Sequence, residues 1–291
     1  MPVHDDLGTR MKDFYEHIPQ TKLMRRTPVM IRIDGKAFHT FTRGFSKPFD
    51  DVLIESMQRT MKYLCENIQG CVLGYTQSDE ITLVLVDYNR FESSAWFDYE
   101  VMKMCSIAAS MATMAFNNFF REEVDKLIFE YNHSLVPQCV ELQQKATEYH
   151  NTLLNAVHKG AMFDARVFNI PKEEVTNCVY WRQLDAARNS IQMMGQAYFS
   201  HNELQHKTCS NIQDMLMEHH NINWNDLPAY KKRGSCAVRN KIVVKSDGIT
   251  EAVCLRDTSK SENEWIIDRD IPMFKGEGRA YVDDLIMIGE M

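Results

Sequence analysis

A chain of 291 residues, 44% hydrophobic and 25% charged, carries enough apolar material for one large domain or two small ones. Its net charge of −7 argues against a protein that coats nucleic acid by bulk electrostatics, but leaves RNA open as a substrate, because an enzyme holding divalent cations needs acidic residues and a local basic patch still binds phosphates. Eight cysteines form no CxxC pair, the N-terminus has no apolar run with a cleavage site, and no stretch approaches the roughly 18 consecutive apolar residues of a membrane span, so the expectation is a reduced, cytoplasmic protein without a membrane partner.

In chain order, the first clear element is Pro28-Val-Met-Ile-Arg-Ile-Asp34, a short apolar run with β-branched content that reads as a buried strand ending in Asp34-Gly35. Past an Arg43-Gly44 turn and Lys47-Pro48, Asp50 or Asp51 is placed to cap a helix in which Val52, Met57, Met61, Leu64 and Cys65 recur at helical spacing, ending near 67–70. Cys71–Thr76 and Ile81–Val86, separated by Gln77-Ser-Asp-Glu80, read as a hairpin, which makes the opening unit β-α-β-β. From Ser94 to about Lys126 the chain is rich in Met, Ala, Phe and Leu without Gly or Pro, which predicts a long core helix with methionines as packing material. A more polar helix is expected over 137–158, a strand over 163–168, and a helix opened by Pro171 and carried to Ser190 through Trp181-Arg-Gln183. Leu204–His219 predicts one helix and Asn223–Pro228 a turn, after which Lys231-Lys-Arg-Gly234 leads into a strand pair over 235–239 and 241–245. The last fifty or so residues mix short strands such as 265–267 with turns and end in a helix near 282–288; no repeat or low-complexity tract marks a second independent domain.

Two acidic residues carry the chemistry. Asp34 closes one strand and Asp79 sits in the tight turn of a hairpin, so if the three strands are neighbours both carboxylates arrive at one sheet edge. Carboxylates held together repel unless positive charge lies between them, and magnesium bound by one or two carboxylates plus substrate phosphates is the usual solution. That is the geometry of two-metal nucleotidyl transfer, with ions about 3.5–4 Å apart. Gly35, without a Cβ, lets the backbone come close to a metal or phosphate, and the residues that follow add backbone N–H groups, Lys36 and His39. Lys47 and Lys103 are candidates for further charge against phosphates. Taken alone, an Asp-Gly pair is more often a plain turn.

Together these segments resemble a family. Arg32-Ile-Asp-Gly-Lys-Ala-Phe-His39, Lys47-Pro48, Gly74-Tyr-Thr-Gln-Ser-Asp-Glu80, Phe163-Asp-Ala-Arg166, Trp181-Arg-Gln183, Asn221-Ile-Asn-Trp-Asn225, Leu227-Pro228 and Lys232-Arg-Gly234 look like the ordered motifs of tRNA-His guanylyltransferases and their bacterial-type 3′-to-5′ polymerase relatives. The resemblance implies an α+β fold: a polymerase-palm or cyclase-like antiparallel sheet with helices on it, a catalytic domain over 1–240 with inserted helices, and a C-terminal extension over 241–291 packed on it. It implies two magnesium ions on Asp34, Asp79 and the carbonyl of Gly35. It implies ATP or GTP contacted by Asp34, Gly35, Lys36, Ala37, Phe38 and His39 with Ser78 and Asp79. A 5′-monophosphorylated tRNA would be activated and then attacked by the 3′-hydroxyl of an incoming nucleotide, in a protein that is typically a tetramer.

The departures also inform. Members dedicated to tRNA-His carry a His-Ile-Asn-Asn-Leu-Tyr-Asn-Thr motif after Trp-Arg-Gln; here Ala187–Met194 retains Asn189 and a similar residue at Ile191, which points to the template-dependent 5′-end repair branch. Glu100 stands where a basic residue is expected near the triphosphate, so that expectation passes to Lys103. Arg182, Lys207 and the run Lys231, Lys232 and Arg233 are the candidates for tRNA phosphates, with Asn189 beside them, although a cation on a helix or a short charge run is commonly just solvated. Trp181 reads equally as core packing. His201, His206, Cys209, His219 and His220 match no standard zinc spacing. Two rival readings stay open: a nucleotide cyclase-like enzyme without a tRNA substrate, and a non-catalytic RNA-binding module.

Overall fold

The computed structural model describes residues 5–133, 140–246, 250–254 and 257–288. Six strands form one antiparallel sheet: β1 (Val29–Gly35), β2 (Cys71–Gln77), β3 (Glu80–Leu85), β4 (Phe163–Asn169), β5 (Ser235–Arg239) and β8 (Trp265–Asp268), in the order β4-β1-β3-β2-β5-β8. A separate hairpin is made by β6 (Ile242–Ser246) and β7 (Thr250–Cys254). The helices are α1 (Asp6–Met11), α2 (Phe38–Phe41), α3 (Asp51–Asn67), α4 (Val101–His133), α5 (Val140–Lys159), α6 (Lys172–Tyr198), α7 (His201–Leu204), α8 (Cys209–His220), α9 (Ala229–Arg233) and α10 (Ala280–Ile286). This is the α+β, antiparallel-sheet architecture the resemblance implied, and no described helix is long and apolar enough to cross a membrane.

Strand alternation decides what each face holds. Val29, Ile31 and Ile33 are fully buried on one face of β1 against α3 and α4, while Met30, on the other, joins a second core with Val84, Val175 and Val179 of the α6 side. On that second face the rows run from apolar to charged along the strands. Met30 is opposite Val84 and Phe168, Arg32 opposite Thr82 and Arg166, and Asp34 opposite Glu80 and Asp164. The sheet therefore carries its own acidic end.

α3 is capped by Asp50, whose carboxylate accepts from the Leu53 N–H at 3.0 Å. The polar residues that interrupt the apolar pattern of α4 cover the outer edge of β4: Thr113 accepts from the Phe163 N–H at 3.2 Å, and Asn117 both accepts from the Ala161 N–H at 2.8 Å and donates to its carbonyl at 2.9 Å. A helix laid over an edge strand removes a template for unwanted pairing.

Several elements differ from the sequence expectations. α4 begins at Val101 rather than Ser94, because the N-terminal strap claims the preceding residues: Leu23 donates to the Tyr99 carbonyl at 3.0 Å, Val101 donates to Thr21 at 2.8 Å, and Phe97, Asp98 and Tyr99 take left-handed conformations. Pro171 is the N-cap of α6, not its first helical residue. α6 runs on to Tyr198 because Ile191 and Met194 extend its buried face onto Ile212 and Leu216 of α8. The single helix expected over 204–219 is two, broken where His206 is left-handed and Thr208 opens α8 with a capping box to Asn211. The pair expected between 235–239 and 241–245 does not form. The buried side chain of Asn240 donates to the carbonyls of Asp257 and Lys260 at 2.7 and 3.0 Å, turning the chain out of the sheet, and β5 pairs with β2 and β8 instead.

Candidate active site

Asp34 and Asp79 meet at the acidic end of the sheet. β2 and β3 extend to Gln77 and Glu80, leaving a two-residue turn, Ser78-Asp79, with Ser78 left-handed. The Gly35 N–H donates to the Asp79 carbonyl at 3.1 Å and the Lys36 N–H to the Met162 carbonyl at 2.8 Å, so the end of β1 is stapled to the hairpin tip on one side and to the approach of β4 on the other. A Cβ on Gly35 would lie 2.2 Å from the buried ring of Phe38, so this close turn admits only glycine.

Both carboxylates hold their protons more tightly than an ordinary aspartate. For Asp34 burial is the main cause, reinforced by Glu80 and Asp164 and opposed by Arg166 and Arg32. For Asp79 burial again comes first; the Ser78 hydroxyl and a backbone N–H oppose it, and the charges of Asp34 and Glu80 add to it. Ser78 Oγ donates to Asp79 at 3.0 Å, and Arg166 stands 3.8 Å from Asp34. This corner is short of positive charge. Among the described residues no three His, Cys, Asp or Glu side chains form a ready-made metal cluster. The donor set is two carboxylates and nearby backbone, which fits a hard cation completed by substrate phosphates.

The two aspartates line a cavity of about 700 Å³ with His39, Arg43, Lys47 and Gln196. Eight of the residues expected at the nucleotide, Asp34, Gly35, Ala37, Phe38, His39, Lys47, Ser78 and Asp79, line it. Two do not. The exposed Lys36 contributes its backbone tie, and Lys103 sits at the other end of the sheet with its ammonium 5.2 Å from the Phe97 ring. It is Thr113, ten residues further along α4 and about 15 Å away at the helical rise, that reaches the Phe163 end of β4. Arg43 was read only as part of a turn; its spacing of four from His39 across the short α2 segment was the available signal. Met193 and Gln196 arrive from the part of α6 beyond its expected end.

Arg182 was expected on the surface, facing RNA phosphates. It is buried instead, its guanidinium bidentate on Glu80 at 2.7 and 2.9 Å and bonded to Asp185 at 2.8 Å, so its donors are turned inward. Arg32 adds a third bond to Glu80 at 2.9 Å. Trp181 is exposed rather than core, with the Arg182 and Arg32 guanidiniums 4.4 and 5.4 Å from its ring. Gln183 donates to the Pro272 carbonyl at 2.8 Å and accepts from the Phe274 N–H at 2.9 Å, holding the C-terminal segment on the sheet.

The basic run is half-buried. Lys231 is 2.8 Å from Asp51, Lys232 donates to the Asn225 carbonyl at 2.5 Å, and the Arg233 carbonyl accepts from the Tyr75 hydroxyl at 2.7 Å. A Cβ on Gly234 (φ +82°) would lie 2.4 Å from the Thr76 carbonyl, so glycine is what lets this segment press against β2. Lys231, Lys232 and Asn189 line a second cavity, about 80 Å³, which shares Asp50, Leu53, Ser78 and Met193 with the first. Arg233 and the exposed Lys207 line neither.

Comparison with known proteins bears on the family and the fold. The model of the Thg1 family, tRNA-His guanylyltransferase, matches residues 8–171. A solved bacterial tRNA-His guanylyltransferase (Thg1)-like protein in complex with ATP is 35% identical and aligns over 97% of this chain and 100% of its own, with a TM-score of 0.74. A corresponding structure in complex with GTP is 33% identical over 98% and 100% of the two chains, with a TM-score of 0.69. An uncharacterized protein of Acanthamoeba polyphaga mimivirus is 27% identical over 86% of this chain and 82% of its own. The chain thus belongs to the tRNA-His guanylyltransferase family, on the side of its bacterial-type members, and is a nucleotidyltransferase.

Proposed function

We propose that this protein adds nucleotides to the 5′ end of tRNA in the 3′-to-5′ direction, with two magnesium ions at Asp34, Asp79 and the Gly35 carbonyl. The observation that carries the reading is the pairing of two cation-poor carboxylates with a cavity of about 700 Å³ whose other wall is cationic. Magnesium supplies, when bound, the positive charge that draws a proton from the attacking hydroxyl and offsets the charge of the phosphates. The chain's own residues do the rest. Asp34 and Asp79 would hold the cations at the sheet end, Ser78 orients Asp79 through its hydroxyl, and His39, Arg43 and Lys47 receive the polyphosphate of ATP or GTP. Lys36 and Lys103 stand outside that cavity and take no part in this arrangement. Arg182 acts by holding Glu80, and Asn189, Lys231 and Lys232 by lining the adjoining cavity.

The departure from the His-Asn motif supports 5′-end repair over dedicated tRNA-His guanylylation. A homo-oligomeric, cytoplasmic enzyme belongs to the same reading. The test incubates the protein with 5′-truncated and full-length tRNAs, magnesium and each nucleoside triphosphate separately, and sequences the 5′ ends. Template-matched extension of truncated tRNAs is expected. A strong kinetic preference for adding guanosine to intact tRNA-His overturns the repair assignment, and no magnesium-dependent incorporation into any tRNA overturns the whole.

A further inference from the structure

The two cavities differ in chemistry although they share walls. The larger is bordered by His39, Arg43 and Lys47, which suit a polyphosphate. The smaller is bordered by Phe49, Ile54 and Tyr230, with Asn189 and Ser190 at hand for hydrogen bonds. The Lys231 ammonium lies 5.9 Å from the Phe49 ring and 5.7 Å from that of Tyr230, so aromatic faces and a cation converge there. Ser78, next to Asp79 in the hairpin turn, borders both cavities. Aromatic faces beside a cation form the sequence-tolerant platform on which proteins stack a nucleobase. Transfer to an RNA end brings two nucleotides together at the same carboxylates, and the chain has two cavities that share Ser78 of the turn carrying one of them.

We propose that the nucleobase of the RNA's 5′-terminal residue docks at the mouth of the smaller cavity, against Phe49 and Tyr230, while the larger cavity holds the nucleoside triphosphate. This rests on the reading of the site as an RNA 5′-end nucleotidyltransferase and adds where the RNA end is gripped. Sequence reading passed over both rings, since neither belongs to a charged or acidic motif.

The test is a double-mutant cycle read as the dissociation constant for tRNA by gel shift, so it stands apart from turnover. A 5′-monophosphorylated transcript and the same transcript lacking the base of its 5′-terminal residue are bound to the wild-type protein and to Tyr230→Ala. Losing one base–aromatic stack weakens binding by about ten-fold. Expected are that loss for wild type on the abasic transcript, the same loss for Tyr230→Ala on the intact one, and little more when both are removed. ATP affinity, measured by equilibrium dialysis, should stay unchanged. Phe49→Leu repeats the cycle should Tyr230→Ala fail to fold. Additive losses, a wild-type protein indifferent to the terminal base, or a parallel fall in ATP affinity would overturn the assignment. Failure of the broader reading shows separately, as absence of 5′-end incorporation by the wild-type protein.

Discussion

Asp79 and Glu80 are neighbours in sequence, yet the fold treats their carboxylates in opposite ways. Glu80 lies buried on the α6 face of β3 and is saturated by Arg32 and Arg182. Asp79, in the turn, receives one hydroxyl and a backbone N–H and faces another carboxylate across the end of β1. One site is electrically closed and the other is left incomplete. A carboxylate whose charge is met inside the protein organises structure, whereas one whose charge is left unmet stores an affinity for something outside it.

The largest expected effect comes from erasing the open side. Asp79→Asn should lower magnesium-dependent 5′-end incorporation by several orders of magnitude, and Asp34→Asn likewise, with the double variant little worse than either because both act through one site. The folded protein should not suffer. Both aspartates are raised above their ordinary range, so the folded state binds their protons more tightly than the unfolded chain does. Stability of the metal-free protein therefore falls as pH rises from the ordinary carboxylate range through the raised values, and the penalty is complete above them. Asparagine lacks that penalty. Melting in EDTA should show Asp79→Asn at least as stable as wild type at pH 7, with the advantage shrinking as the pH falls from the raised values to the ordinary carboxylate range and gone below it. A folded, active Asp79→Asn protein refutes the assignment.

Erasing the closed side should do the reverse. Glu80→Gln leaves Arg182 buried with one partner fewer, and removing one member of a buried ion pair costs about 3–5 kcal/mol. Urea unfolding should report a loss near the lower end of that range, since glutamine still accepts one hydrogen bond. Any loss of turnover should follow the loss of folded protein. A stable Glu80→Gln variant with abolished turnover would instead move Glu80 into the reacting site.

How far the sequence revealed this contrast depends on the range of the interactions involved. β1, α3 and the β2–β3 hairpin follow from local patterns: alternation in 29–35, the Asp50 cap, and a turn flanked by apolar runs. Since Asp34 and Asp79 sit at the ends of adjacent elements, topology alone brings them together. Glu80 gave no such signal, because its partner Arg182 is 102 residues away and its burial depends on α6 lying across the sheet. Arg182 was misread for the same reason: a helical cation looks solvated until the surface beneath it is known to hold a buried acid. The split of β5 from β6 likewise turns on Asn240 binding a loop about twenty residues further on.

A smaller effect tests the cationic wall of the larger cavity. Arg43→Ala and Lys47→Ala remove exposed charges from the wall of the larger cavity while leaving the aspartates in place. Each should raise KM for ATP or GTP by about ten-fold, on the scale of one charged hydrogen bond, with KM for tRNA little changed. Lys103→Ala is the internal control, since its ammonium rests by Phe97 away from the cavity. An equal effect at Lys103 would mean that the nucleotide lies outside the cavity.

The smallest effect is expected at the basic run, and the comparison of met with unmet charge explains why. Three free lysine or arginine contacts to RNA phosphates would each add about 0.7–0.9 to the slope of log affinity against log salt. Here Lys231 already faces Asp51, and Lys232 donates to a backbone carbonyl. A cation with a standing partner gains less from a phosphate, because the new contact replaces an old one and releases fewer counterions. Neutralising Lys231 and Lys232 together should therefore flatten the slope for tRNA binding by less than the roughly 1.4–1.8 that two free contacts would give. Asp51→Asn, which frees Lys231, should steepen the slope relative to wild type. Gel shifts across a salt series decide the matter: a full two-contact loss, with no change from Asp51→Asn, would show that the internal pairs open when RNA binds.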